Sequence, residues 1–485
     1  MKKAVWAVLI AVECGLAGCS GAGPEAFVAR SVASSPAKAW VPAPDTVPPA
    51  PPPAPPGEIP AELLSGSRTV SLAEAVDVAL VTSPLTRRSW LQARSAAADV
   101  GSRQAPFWPT LEIDGQASRG KTVSLGGKVE SILTTYGPSA ALNWVLFDFG
   151  ARSADVESAR QALYAADFTH NATVADVVLL VQSAYYQYQA AKALLLASEA
   201  SLKQAEESLT AAEERRRAGV ATVADVLQAR TTVSQRRFDV ESARGQIETT
   251  RGALATSLGV PANTPVDVTE LPDGLRLEGA TPGVDELIQR AAAERPDLAA
   301  ARSRSASLWS KARSVKASAL PSVSGNAVFS RSYYQGTDAA TTFGDNTSAG
   351  LFLRWPVFTG FQKTFDARKA EEDAKAADAF TESLAQQVAL QIWSGYYSVQ
   401  TAAQKIRAAK DLLGSAQESE EVALGRYKEG VGSILDLLAA ESALAGARST
   451  AVQARASFLV TLAQLAHDTG ALSLASIPQL KKDVP

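Results

Sequence analysis

The 485-residue chain is short of the residues from which most metal and catalytic sites are built. It has two histidines, His170 and His467, two cysteines, Cys14 and Cys19, and a single methionine, the initiator. Two histidines so far apart make a histidine-based metal centre or general base a poor expectation. There is no phosphate-binding glycine loop and no clustered set of ligand-type residues, so nothing marks an enzyme. The net charge is only −3, with no basic stripe of the kind that binds nucleic acid. Past the first dozen residues no apolar run approaches 18 residues, which excludes a transmembrane helix from the body of the chain.

What is present starts at the N-terminus. Lys2 and Lys3 precede the apolar stretch Ala4 to Val12, and then come Leu16, Ala17, Gly18, Cys19 and Ser20. This resembles a bacterial lipoprotein signal, which is cut before a cysteine that then carries lipid. The resemblance implies a signal peptide over 1–18 and a lipid on Cys19, with no other cofactor. Cys14 would leave with the signal, so no disulfide is expected. The alternative is an ordinary secretory signal with an unmodified Cys19; both readings export the chain. Val41 to Pro60 reads VPAPDTVPPAPPPAPPGEIP, too rich in proline for helix or sheet and suited to extended polyproline II. Residues 19–70 are therefore expected to be an anchor and a semi-rigid tether.

The remainder is a duplication. Glu74 and Glu286, Pro84 and Pro296, and Pro109 and Pro321 all lie 212 residues apart. Trp144 and Trp355, Phe147 and Phe358, and the pairs Tyr185-Tyr186 and Tyr396-Tyr397 lie 211 apart. Such constant registers predict two copies of one unit, 71–282 and 283–485. Each starts with a short helix and a second helix whose first turn suits proline. After Pro109 and Pro321 the pattern turns from helical to alternating. Leu111, Ile113, Gly115 and Ala117 oppose Thr110, Glu112, Asp114 and Gln116, and Leu142, Trp144 and Leu146 oppose Asn143. In the second copy Leu353, Trp355 and Val357 oppose Arg354. These predict β-hairpins over 107–147 and 322–358, with Gly126-Gly127 and Gly344-Asp345-Asn346 at their tips. Four strands cannot close a barrel, so either the hairpins pack on helices or several subunits share one barrel.

After each hairpin a proline-free helical stretch runs from Ala151 to Arg217 and from Gln362 to Lys428. At 1.5 Å per residue each would be about 100 Å long. Such helices need a partner along their length. The segments after the breaks at Gly219 and Gly430 supply it, giving antiparallel helical hairpins over 151–258 and 362–467. Ala190, Ala193, Ala197 and Ala200 favour close packing, and the charged run Glu213 to Arg217 reads as solvated. Asp225 and Asp436 follow the two breaks at the same spacing, where they suit helix capping or the helix dipole.

The order is exported N-terminus, helix ending at P-x-L, β-hairpin, very long helix, AG or EG break and DVL or DLL helix, all twice. It resembles the TolC-like outer-membrane efflux proteins, in particular their lipoprotein branch, from about Ser71 to Ala471. The resemblance implies a mainly α fold with a β-barrel segment. Each subunit of a homotrimer would give four strands to a twelve-stranded transmembrane barrel, and its long helices would build an α-barrel tunnel through the periplasm. It further implies the passive channel of a tripartite efflux system, of the kind served by an RND-type pump. The channel would be anchored in outer-membrane lipid and dock through a periplasmic adaptor onto an inner-membrane pump. A type I protein secretion conduit and a lipid-anchored periplasmic coiled-coil scaffold remain as alternatives. In the family the tips form the closed entrance, so Gly219 and Gly430 match the turns, and Asp225, Asp436 and Tyr427 match residues of the gate. Where the family pattern has an arginine after the second tip glycine, this chain has Gly432. Where it has a further aspartate, this chain has Ala439, and Gln228 in the first copy.

Overall fold

The computed structural model describes residues 32–38, 69–124, 129–269, 283–336 and 341–471. The signal peptide, Cys19, the proline-rich tether and the Gly126-Gly127 turn lie outside these residues. Element order is β1 (Thr69–Val70), α1 (Leu72–Thr82), α2 (Pro84–Gln104), β2 (Thr110–Ser124), β3 (Val129–Phe147), α3 (Ala151–Arg217) and α4 (Val223–Ser257). The second copy follows as β4 (Asp267–Val268), α5 (Val284–Glu294), α6 (Pro296–Ala317), β5 (Ser322–Gly336), β6 (Thr342–Arg354), α7 (Gln362–Lys428) and α8 (Ile434–Asp468). Helices α3 and α7 are 67 residues each, and α4 and α8 are 35 each. The duplication therefore extends to element length. No described helix is long and apolar enough to cross a membrane.

Packing divides the chain into two units. One holds the described parts of 92–167 and 300–382, including the whole four-stranded sheet. Its strands run β2-β3-β5-β6, every pair antiparallel, so both hairpins join edge to edge through β3 and β5. The hairpin limits differ from expectation. Gln104 is followed by a 3₁₀ turn over Ala105–Phe107, and the first strand starts only at Thr110, after Pro109. The last strand stops at Arg354, leaving Trp355 to Phe358 outside the sheet. Pro356 has no N–H to give to a ladder. Gly344, Asp345 and Asn346 are not a tip: they pair with Ser332, Arg331 and Ser330 as part of β6, which starts at Thr342.

The other unit holds the described parts of 33–91, 168–299 and 383–485. In it, α1 begins in a capping box: the Ser71 hydroxyl accepts from the Glu74 N–H at 3.3 Å, and the Glu74 carboxylate accepts from the Ser71 N–H at 2.9 Å. Ala75, Val76, Ala79 and Leu80 share one face and pack on Val174, Val177, Val178 and Val181 of α3, on Leu254 and Ala255 of α4 and on Leu258, which follows it. Each fully buried large side chain here contributes about 1.5–3 kcal/mol. The Tyr185 hydroxyl donates to the Val70 carbonyl at 3.1 Å and bonds the Thr269 hydroxyl at 2.8 Å, fixing the short parallel pair β1 and β4 on this core. The second copy repeats the arrangement with Leu287 and Ala291 of α5 and Leu298 of α6 against Val388 and Ile392 of α7.

Residues 32–38 lie across α2 and α3. Trp90 Nε1 donates to the Ala33 carbonyl at 2.6 Å, and His170 Nε2 bonds the Lys38 carbonyl at 2.8 Å. A carbonyl only accepts, so Nε2 carries the proton. Nδ1 then accepts from the Ser89 hydroxyl, 2.8 Å away. Burial lowers the His170 pKa, in keeping with this neutral form.

Candidate functional site: the tips of the helical hairpins

Both long helices end in the same way because both need the chain to reverse within five residues. Gly219 and Gly430 take φ of 78° and 79°, a region that L side chains avoid. The Val220 N–H reaches the Arg215 carbonyl at 2.9 Å and the Gly219 N–H the Arg216 carbonyl at 3.0 Å. At the second tip Val431 reaches Arg426 at 3.0 Å and Gly430 reaches Tyr427 at 3.1 Å. Each is a Schellman motif that satisfies last-turn carbonyls. Gly432 adds a further bond from its N–H to the Arg426 carbonyl at 2.9 Å. A Cβ at Gly432 would come within 3.0–3.1 Å of Arg426 and the Tyr427 nitrogen, so the tight turn itself disfavours a larger side chain there.

The next helices start in capping boxes. Asp225 accepts from the Thr222 N–H at 2.7 Å, while its own N–H donates to the Thr222 hydroxyl at 3.2 Å. Asp436 and Ser433 make the same pair at 3.4 and 3.1 Å. Both aspartates thus serve as caps. Asp225 is half-buried, whereas Asp436, Ala439 and Gln228 are exposed.

Tyr427 is 5% exposed and packs on Ala212, Val226 and Ala229 of the first hairpin and on Ile434, Leu437 and Leu438 of the second. Its hydroxyl has no hydrogen-bond partner among the described residues. Burial raises its pKa; nearby Arg215 lowers it and Asp225 raises it further. The Arg215 guanidinium lies 4.7 Å above the Tyr427 ring and donates to the Tyr427 carbonyl. An arginine of the first tip therefore caps the last turn of the second hairpin. Reading Glu213 to Arg217 as solvated misses this tie, and it misses the Glu213–Arg230 ion pair at 3.1 Å. The available signal is a small-residue stripe leading to Arg215: Ser201, Ala205, Ser208 and Ala212 recur at intervals of four and three and are all buried.

The sheet presents a second functional surface. Directly opposed residues of antiparallel strands share a face. One face carries the rows Leu111–Leu142–Ala327–Ala349 and Ile113–Ala140–Phe329–Thr347, then Ala117–Tyr136–Tyr333–Phe343 toward the turns. The other carries Thr110–Asn143–Asn326–Gly350 and Asp114–Ser139–Ser330–Asn346. The apolar face is bare: Ile113 is 79% and Leu351 73% exposed. Aromatic residues mark both of its ends. Tyr136 stacks on Tyr333 with centroids 5.3 Å apart, and Tyr333 lies 6.2 Å from Phe343. At the helix end Phe107, Trp108, Phe147, Trp355 and Phe358 are exposed. Two charges on this face meet in a two-pronged pair, Arg331 to Asp345 at 2.6 and 2.8 Å, with the guanidinium 5.4 Å from the Phe343 ring. An apolar band between aromatic girdles, backed by a polar face, is the pattern of a strand set between lipid and a lumen.

Known proteins resemble this chain over most of its length. A family described as "Outer membrane efflux protein" matches residues 75–260 and again 287–471. Protein CyaE from Bordetella pertussis is 27% identical over 381 residues, covering 78% of this chain and 79% of that protein. The probable efflux pump outer membrane protein TtgC from Pseudomonas putida is 24% identical over 408 residues, 81% of each. Among solved structures, the CmeC outer membrane channel of Campylobacter jejuni superposes with a TM-score of 0.75 at 16% identity, over 85% of this chain and 88% of that one. A membrane protein from Pseudomonas aeruginosa superposes with a TM-score of 0.74 at 24% identity, over 82% and 93%. With the family pattern matched once in each half of the duplication, the chain belongs to the TolC-like outer membrane efflux proteins, a family of transport channels rather than enzymes.

Proposed function

We propose that this outer-membrane efflux channel works as a lipid-anchored homotrimer, the passive last stage of a tripartite system with an inner-membrane pump and a periplasmic adaptor. The observation that carries the trimer is the sheet. Its edge strands β2 and β6, 15 and 13 residues long, have no partner among the described residues, and its apolar face is exposed. Three copies would close twelve strands, remove every edge and turn the polar face inward. The adaptor reading is supported by a groove of about 630 Å³ between α3, α4 and α8, lined by small residues such as Ala190, Ala197, Ser201, Gly446 and Ser449. It is a trough into which another helix fits closely. Exposed apolar residues at the tips, Val220, Leu227, Val431 and Leu435, also call for a cover. Efflux is supported by relatives whose names specify toluene and antibiotic efflux pumps, each 24% identical over 408 residues.

Asp225, Asp436 and Tyr427 form the entrance in this reading. Symmetry would repeat each aspartate three times near one axis, a negative ring that favours cations. Purified protein that runs as a heat-resistant trimer on gels and conducts in planar bilayers is the expected outcome. A water-soluble monomer with no conductance would instead support the scaffold. Asp436→Asn keeps an acceptor for the cap but removes the charge, so block by a trivalent cation should weaken. Unchanged block would remove Asp436 from the ring.

A further inference from the structure

The two helical hairpins of one chain meet along a seam that the duplication does not repeat. Ser208 of α3 donates its hydroxyl proton to Oε1 of Glu441 in α8, and both side chains are buried. Glu441 Oε2 has no hydrogen-bond partner among the described residues. Farther from the tips, Arg448 donates to Gln204 Oε1 at 2.7 Å, and Gln204 Nε2 donates to Glu420 at 3.3 Å. The position matching Glu441 in the first hairpin is Arg230, which is exposed and paired with Glu213.

We infer that Glu441 is a proton-operated latch between the two hairpins: neutral, it holds the seam shut; ionised, it parts the hairpins and widens the entrance. A buried carboxylate needs several donors to replace its hydration, and here only Ser208 supplies one. The charged groups facing it do not make up the deficit. Glu207 on α3 and Glu420 on α7 oppose its ionisation, and Arg236 on α4, which favours it, already binds Asp239 at 3.1 Å. Ala205 of α3 and Leu444 and Ala447 of α8, also buried, carry no side-chain donor. They cannot solvate a charge, so ionisation must bring in water. Burial, against the Ser208 bond and with help from Glu420, raises the Glu441 pKa. The closed seam therefore favours the protonated form. It is tightest below the ordinary glutamate range and weakens as pH rises through the raised value.

The inference rests on the channel reading only for its effect on the entrance, and two readouts keep them apart. Spin labels at Thr210→Cys and Ser442→Cys, in full-length protein carrying Cys19→Ser, report the seam. The label distance should lengthen between pH 4 and pH 9 in the otherwise native seam and stay at its low-pH value in Glu441→Gln. Ser208→Ala, which removes the only donor to the carboxylate, should move the transition to higher pH. In planar bilayers, open probability should rise several-fold over the same range and stay flat in Glu441→Gln. Moving labels with silent bilayers would uphold the latch and count against the channel. Labels that never move, or that move alike in Glu441→Gln, overturn the latch whatever the bilayers show.

Discussion

Arg215 joins two hairpins with one side chain, because its charge meets a helix C-terminus and its planar group covers a buried aromatic ring. Arg215→Met keeps much of the stem but loses both contacts. It should cost about 1–2 kcal/mol locally, seen as faster proteolysis at the second tip and a lower threshold for opening in bilayers. An unchanged cleavage rate would deny Arg215 this role. His467 is a second tie at residue scale. It bridges Asp176 of α3 at 2.9 Å and Asp468 at 3.1 Å. Burial alone would lower its pKa, but the two carboxylates outweigh burial and push it up to about 9. The folded state therefore holds the proton more tightly than the unfolded chain. Its stabilisation is complete below the ordinary histidine value and is lost as pH rises through about 9. Asp176 is largely exposed, so screening limits the effect to about 1–2 kcal/mol. The melting temperature should fall between pH 7 and 10 in the native protein and much less in His467→Gln. Equal slopes would show that the bridge carries no proton.

At the scale of elements, the long helices were legible because nothing interrupts them: each 67-residue stretch lacks proline and ends at the glycine that reverses it. The strands were legible as alternation, but not their limits. Pro356 closes β6 early, and a bulge between Val145 and Phe147 shifts the register at the end of β3. The seam was legible only as a stripe of small residues on α3, with no sign of what lies against it. Ser208 and Glu441 are 233 residues apart, and only the packing of separate hairpins brings them together. The same holds for Arg215, which looks like its charged neighbours until its partner is in place. The turns give a direct test. Gly219→Ala and Gly430→Ala each force a side chain into positive φ and should cost about 1 kcal/mol. At Gly219 a Cβ has open space, and at Gly430 its nearest neighbour is Arg215 Nη2 at 3.6 Å, an ordinary contact, so the cost at both is conformational. The melting temperature should therefore fall by similar amounts for the two variants. A much larger fall at either tip would mean that its glycine is needed for more than its positive φ.

At the scale of the whole molecule, the anchor and the fold separate. Residues 32–38 are held by Trp90 and His170, downstream of the proposed lipid site. Cys19→Ser should abolish labelling by fatty acid while leaving circular dichroism and trimer formation in detergent intact. Persistent labelling would place the lipid elsewhere, and loss of the fold would mean that the anchor is needed for folding. Before assembly, the two unpaired strand edges have another consequence. A lone subunit offers 15- and 13-residue templates to any extended chain it meets, so the time spent alone is its period of greatest aggregation risk. A lipid on each N-terminus would confine the search for two partners to a surface, raising local concentration without any new contact. Tethering would then act mainly as a kinetic safeguard, shortening the interval in which a half-built barrel can join the wrong neighbour.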